Sequence, residues 1–219
     1  MIKALVFDFD GLILETEGPI YQSWSDVYAS YGLTLSFADW LTTIGTQEAN
    51  FQPAPELERL LGKKLDWEVI EPQRREHELG LIYAQPPMPG VTTYLEDARR
   101  LGLRIGLASS SSNDWVIGHL SRLGLLHYFD ALRTYDDVAL SKPDPALYLS
   151  TLQALGIPPA QALALEDSTN GILAAKRAGM YCVAVPNHMT RQLDMSQADL
   201  RLESLAELSL ESLLQKLDA

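Results

Sequence analysis

A single cysteine, Cys182, is all the chain carries, so no intrachain disulfide can form. It sits in the apolar run Met180-Tyr181-Cys182-Val183-Ala184-Val185, where a thiol is expected to serve as a small buried hydrophobe. Basic residues are scarce: 17 Lys and Arg stand against 29 Asp and Glu, a formal net charge of −12. A negative surface repels nucleic acid and anionic membranes, so neither is an expected partner. No apolar run approaches the ~20 residues that span a bilayer. The N-terminus leads straight into an apolar strand with no leader-like segment, and the expected compartment is the cytoplasm. The four histidines, His77, His119, His127 and His188, lack the spacing of a zinc site. There is no Gly-rich loop ending in Gly-Lys-Ser/Thr, no Ser/His/Asp signature, no internal repeat and no low-complexity tract. With no oligomerisation signal to read, an acidic monomer is the default expectation.

What is present is enough for a core. The chain has 219 residues, 47% of them hydrophobic, which suits one large domain or a domain with a smaller insert. Ala4-Leu5-Val6-Phe7 reads as a buried strand running to residue 8. From Glu17 to about Ile82 the pattern is helical. Ile20, Trp24, Val27 and Tyr31 recur at helical spacing, and Ser36 is a candidate cap for a short helix. Further helical stretches are predicted over 55–61 and 67–81. Trp24, Trp40 and Trp67 are expected to pack between these helices, with one of them free to line a cleft. Gln85-Pro86-Pro87-Met88-Pro89-Gly90 is a breaker-rich link. Beyond it, strands are predicted at 104–108, 129–133, 162–165 and 181–185, alternating with helices at 91–101, 113–123, 145–155 and 171–178. That alternation predicts an α/β fold with a mostly parallel sheet covered on both faces. The 17–85 segment interrupts it and reads as an inserted helical cap. In such a sheet, ligands bind beyond the carboxyl ends of the strands.

The polar groups fall at those ends. Asp8 and Asp10 follow the first strand, two residues apart, and extended geometry would point both the same way. Adjacent like charges need a cation or a shared proton. The pair fits magnesium-dependent phosphoryl transfer, with Asp8 as nucleophile and Asp10 as acid/base group. A turn or capping role is the plainer reading of an isolated Asp-x-Asp. Ser109 offers a hydroxyl to phosphate at the end of the second predicted strand, although the run Ser109-Ser110-Ser111-Ser112 is also ordinary loop composition. Asn113 suits either a phosphate contact or a helix cap. Lys142, fixed by Pro143, suits either neutralisation of Asp8 and phosphate or an exposed surface position. Glu166-Asp167 follows the next strand. Asp167 suits magnesium, with an Asp8 oxygen and the Asp10 carbonyl, or the N-cap of the following helix. Glu166 suits a water-mediated ligand or an orienting partner for Lys142.

Together these stretches resemble the haloacid dehalogenase-like superfamily, in the branch with beta-phosphoglucomutase and phosphoglycolate phosphatase. The resemblance rests on Phe7-Asp8-Phe9-Asp10-Gly11, Leu107-Ala108-Ser109, Ser141-Lys142-Pro143-Asp144-Pro145 and Leu165-Glu166-Asp167-Ser168, in that order. It implies a Rossmann-like catalytic core (1–16 and 86–219), a four-helix cap (17–85) and a magnesium cofactor. By position it implies Asp8, Asp10 and Lys142 as catalytic residues, and Ser109, Ser110, Asn113 and Lys142 as phosphate contacts. The implied metal group is Asp8, Asp10 and Asp167 with Glu166 nearby. The expected activity is hydrolysis of a small phosphorylated metabolite through an aspartyl-phosphate. Two alternatives stand beside it: a sugar-phosphate mutase and a non-catalytic phosphate-binding regulator. The mutase pattern has a cap histidine near Ile20 and a cap arginine after Ile44-Gly45, whereas this chain has Thr46-Gln47-Glu48. Hydrolysis is therefore the favoured expectation.

Overall fold

The computed structural model describes residues 1–44 and 51–217. Among the described residues, six strands form one sheet: β1 (Ala4–Phe7), β2 (Arg104–Ala108), β3 (Ala131–Arg133), β4 (Ala162–Glu166), β5 (Tyr181–Ala184) and β6 (Leu200–Arg201). Their order is β3-β2-β1-β4-β5-β6 and every pairing is parallel. The expected α/β, Rossmann-like architecture is the one found. The chain reverses its direction of growth between β1 and β4, so a crevice opens beyond their carboxyl ends.

Strand alternation divides the core by side-chain size. Leu5, Phe7, Ile105, Leu107, Leu163 and Leu165 face one side with α5 (Val91–Arg100), α6 (Asn113–Arg122) and α9 (Leu210–Leu217). Ala4, Val6, Ala162, Ala164, Cys182 and Ala184 face the other, with α7 (Ala146–Leu155) and α8 (Thr169–Arg177). The small face lets α7 and α8 lie close to the sheet. Gly106 of β2 marks where α7 comes close: a Cβ there would sit 2.5 Å from Thr151 Cγ2 of α7.

Helices α1 (Glu17–Ser30), α2 (Phe37–Leu41), α3 (Pro53–Leu61) and α4 (Trp67–Tyr83) leave after β1 and return before α5. They surround an apolar cluster of their own, built on Tyr28, Leu35, Trp40, Ile44 and Leu57. Ser36 caps α2, its hydroxyl accepting from Asp39 N–H. Ile20, Trp24, Val27 and Tyr31 pack against the cluster as their spacing predicted. Two expectations shift. β1 stops at Phe7, because Phe9 O accepts three successive N–H groups and bends the chain. The cap of α6 is Ser112, whose Oγ accepts from Trp115 N–H, and not Asn113.

Gly106→Ala should force α7 away from the sheet. The expected cost is ~1–3 kcal/mol, the range for overpacking a filled core. Chemical denaturation of the variant beside the parent measures it.

Candidate active site

Asp8 follows β1, its N–H bonded to Leu165 O of β4. Its carboxylate is largely buried and accepts from Lys142 Nζ. Lys142 is buried rather than exposed, and its second acceptor is Glu166 Oε1 at 2.6 Å. Tyr148 of α7 donates to the same Glu166 oxygen at 2.5 Å. Glu166 thus orients the lysine. Gly171 makes room for it: a Cβ there would lie 2.0 Å from the Glu166 carboxylate oxygens. Asp167 is not the cap of α8. Ser168 takes that role, accepting from Gly171 N–H at 3.2 Å.

Asp8, Glu166 and Asp167 each offer an oxygen, and these atoms lie within 4.8 Å of one another, all on buried residues. Loss of solvent pushes the Asp8 carboxyl up to about 7, against the pull of Lys142 and with the push of Glu166. Burial likewise raises Asp167 well above the carboxylate range, with Asp8 and Glu166 adding to it. Burial opposes the charge of Lys142, but Asp8 and Glu166 outweigh it and keep the ammonium protonated.

Asp10 stands apart from this acidic group. Oδ1 accepts from Thr16 Oγ1 and from Trp115 Nε1, both at 2.9 Å, and Oδ2 accepts from Ser111 Oγ at 2.6 Å. The carboxylates of Asp8 and Asp10 nevertheless line one cavity of about 450 Å³. Ser110 lines it too, with its hydroxyl accepting from Ser141 Oγ at 2.8 Å. Ser109 is buried beneath the loop, where its Oγ accepts from Ser111 N–H at 3.0 Å. Asn113 is not brought to the cavity. As the first residue of α6 its side chain is exposed, and its N–H donates to Asp136.

The opposite wall comes from the helical segment: Glu17, Ile20, Thr43, Ile44, Arg75 and Glu78. Arg75 Nη1 donates to Glu78 Oε1 at 2.5 Å. Glu17 is half-buried. Loss of solvent, with Asp10, Glu15 and Asp8 nearby, pushes its carboxyl up to about 8. The tryptophan in the cavity is Trp115, whereas Trp24 and Trp67 pack against each other at a tilt, ring centroids 5.9 Å apart. Thr16, Glu17, Arg75, Ser111 and Trp115 escaped sequence reasoning. The indole and the threonine carry no motif of their own.

Residues 5–185 match the family model for haloacid dehalogenase-like hydrolases. The chain belongs to that family. YhcW of Bacillus subtilis strain 168, named as a candidate phosphatase, is 48% identical over 219 residues, 100% of this chain and 99% of its own. Hexitol phosphatase B of Escherichia coli K12 is 31% identical over 231 residues, 97% of each chain. The crystal structure of CbbY from Rhodobacter sphaeroides in complex with phosphate matches with a TM-score of 0.72 at 29% identity. That match covers 97% of this chain and 99% of that one.

Haloacid dehalogenase-like hydrolases generally use magnesium, and the donor set here fits it. Hard carboxylate oxygens suit the ion. Lys142 pairs with two of the three buried acids, Asp8 and Glu166, and the third, Asp167, adds an anionic excess for a cation to neutralise. The raised carboxyls give a test. Asp8 and Glu17 ionise less readily folded than unfolded, so the folded chain holds more protons between their ordinary and raised values. Their contribution is therefore present at acid pH and lost as pH rises toward about 8. In chelator, the thermal midpoint should be lower at pH 8.5 than at pH 5.5. Added magnesium should restore more of it at the higher pH. A midpoint that rises across this window in chelator overturns the expectation.

Proposed function

We propose that the protein is a magnesium-dependent phosphatase of a small phosphorylated sugar or polyol, acting through an aspartyl-phosphate on Asp8. The chain is a phosphoric monoester hydrolase of the sugar-phosphate type; the metal, the intermediate and the residue roles are the proposal. The observation that carries them is the Asp8–Lys142 pair facing Asp10 across one cavity.

Asp8, Asp167 and the Asp10 carbonyl would hold magnesium, with Glu166 close by, and the ion would neutralise the phosphate oxygens. An oxygen of Asp8 attacks phosphorus, and the bond from phosphorus to the ester oxygen breaks. Asp10, as a carboxylic acid, gives its proton to that oxygen and the alcohol leaves. Asp10, now a carboxylate, takes a proton from water. The water oxygen attacks phosphorus, the bond to Asp8 breaks, and inorganic phosphate departs with Asp8 restored. Lys142 holds Asp8 in place and faces the phosphate oxygens. Ser110 lines the same cavity as Lys142 and would contact the phosphate beside it.

Residues 17–85 act as a cap over a core of 1–16 and 86–219, and the cap wall sets the leaving group. Among the described residues, Arg75 is the cation on that wall, and its charge is shared with Glu78. Glu17, Thr43 and Glu78 offer hydroxyl-seeking groups. This wall suits the hydroxyls of a monophosphate better than a second phosphate, which favours hydrolysis over a mutase. The Thr46-Gln47-Glu48 segment lies outside the described residues. A non-catalytic binder would have no need of Asp10 wired to three donors.

Phosphate release from a panel of sugar and polyol phosphates is the test. Turnover should vanish in chelator and return with magnesium, and calcium should support it poorly. Asp10→Asn should cost ~10²–10⁴-fold in rate on a poor leaving group. Full turnover in chelator, or a loss under about tenfold for Asp10→Asn, rejects the mechanism.

A further inference from the structure

Asn187 lies on the loop after β5 and is 4% exposed. Both ends of its amide are engaged. Nδ2 donates to Asp167 Oδ2 at 2.8 Å and to the Gly11 carbonyl at 3.2 Å. Oδ1 accepts from the N–H groups of Met189 at 2.8 Å and Thr190 at 3.0 Å. The side chain cannot turn without losing several bonds at once. The residues after it anchor the loop. Met189 is buried among the aromatic residues of the helical segment, and His188 Nδ1 lies 3.1 Å from Glu15 Oε2. Gly11 sits against the amide, with φ +77 and no room for a Cβ, which would fall 2.5 Å from Asn187 Nδ2.

The consequences meet at two candidate metal donors. A carboxylate in a cavity of like charges is free to rotate unless something holds one oxygen. Asn187 holds Oδ2 of Asp167, leaving Oδ1 for a cation. Its second N–H ties down the Gly11 carbonyl, one residue from the Asp10 carbonyl. We propose that Asn187 is a positioning residue for the metal site, selecting the Asp167 oxygen presented to magnesium and fixing the Asp10-Gly11 turn. The proposal rests on the magnesium reading given above. An amide is required because it donates to two oxygens while accepting from the loop; a carboxylate only accepts.

The test is calorimetric titration of the full chain with magnesium alone, beside melting curves in chelator. Asn187→Ser keeps an oxygen that accepts from the loop N–H groups and, with a single O–H on a shorter side chain, cannot make both donations. Its metal-free midpoint should stay near the parent's. Its magnesium dissociation constant should rise ~10- to 100-fold, the usual loss when a partner of a metal ligand is removed. Magnesium binding within about threefold of the parent overturns the proposal. Where the serine variant melts early, Asn187→Asp decides, because it keeps volume and acceptor but cannot donate. Its magnesium dissociation constant, read by the same calorimetric titration, should rise at least about tenfold; parent-like magnesium binding overturns the proposal. A parent chain that takes up no magnesium overturns the magnesium reading itself, and the positioning role with it.

Discussion

The buried ammonium of Lys142, shared between Asp8 and Glu166, is the contact on which the site depends. Taking ions out of water is costly, and a buried pair holds only where geometry and further hydrogen bonds compensate. Here they do: Tyr148 donates to Glu166, and Gly171 leaves the carboxylate its space. Breaking such a pair by removing one partner typically costs ~3–5 kcal/mol. Yet one lysine does not balance three acids. Three buried carboxyls beside one ammonium make the site receptive to a divalent cation; loss of solvent first, and their like charges second, raise Asp8 and Asp167. That arrangement also explains how a chain of net charge −12 can recruit a phosphate ester, since attraction is assembled locally.

The sheet supplies the frame for that charge. β1 and β4 are hydrogen-bonded neighbours, with Phe7 paired to Leu165. Asp8 and Glu166 therefore emerge side by side from strands whose residues are buried throughout. A large-residue layer on one face and an alanine layer on the other hold those strands in place. Close packing of this kind transmits small displacements. The alanine face also brings α7 near enough for Tyr148 to reach Glu166, so the choice of small residues in the core reaches the chemistry.

Legibility followed from where each residue's role is encoded. Asp8 and Asp167 stood out because an apolar run followed abruptly by a charge marks the end of a buried strand, and Lys142 because Pro143 follows it. The parallel sheet was legible for the same reason. Asn113 misled, because an asparagine beside a serine run has two candidates for one cap, and Ser112 took it. β1 ended one residue early because the Phe9 carbonyl gathers a turn that composition does not reveal. No expectation reached β6 or α9; β6 is a two-residue strand and leaves no period to read. Thr16, Ser111, Trp115 and Asn187 were invisible for a deeper reason. Each is an ordinary residue whose importance is a contact with Asp10 or Asp167, and the contacts to Ser111 and Trp115 close over 101 and 105 positions.

Those contacts constrain how Asp10 can work. Its Oδ1 accepts from Thr16 and Trp115, and its Oδ2 from Ser111. An indole N–H only donates, whereas a serine hydroxyl donates or accepts by rotating. A proton on Oδ1 would collide with the donation from Trp115. A proton on Oδ2 needs only that Ser111 turn its hydroxyl or yield to the substrate. Under the proposed reaction, Oδ2 is therefore the oxygen that carries the exchanged proton, and Oδ1 is the tethered one. The tether joins two parts of the chain, since Thr16 stands at the root of α1 and Trp115 lies on α6. Asp10 thus also links the root of the helical segment to the sheet. Any motion of α1 relative to α6 would loosen Oδ1 first, leaving the carboxyl that must transfer a proton without its fixed orientation.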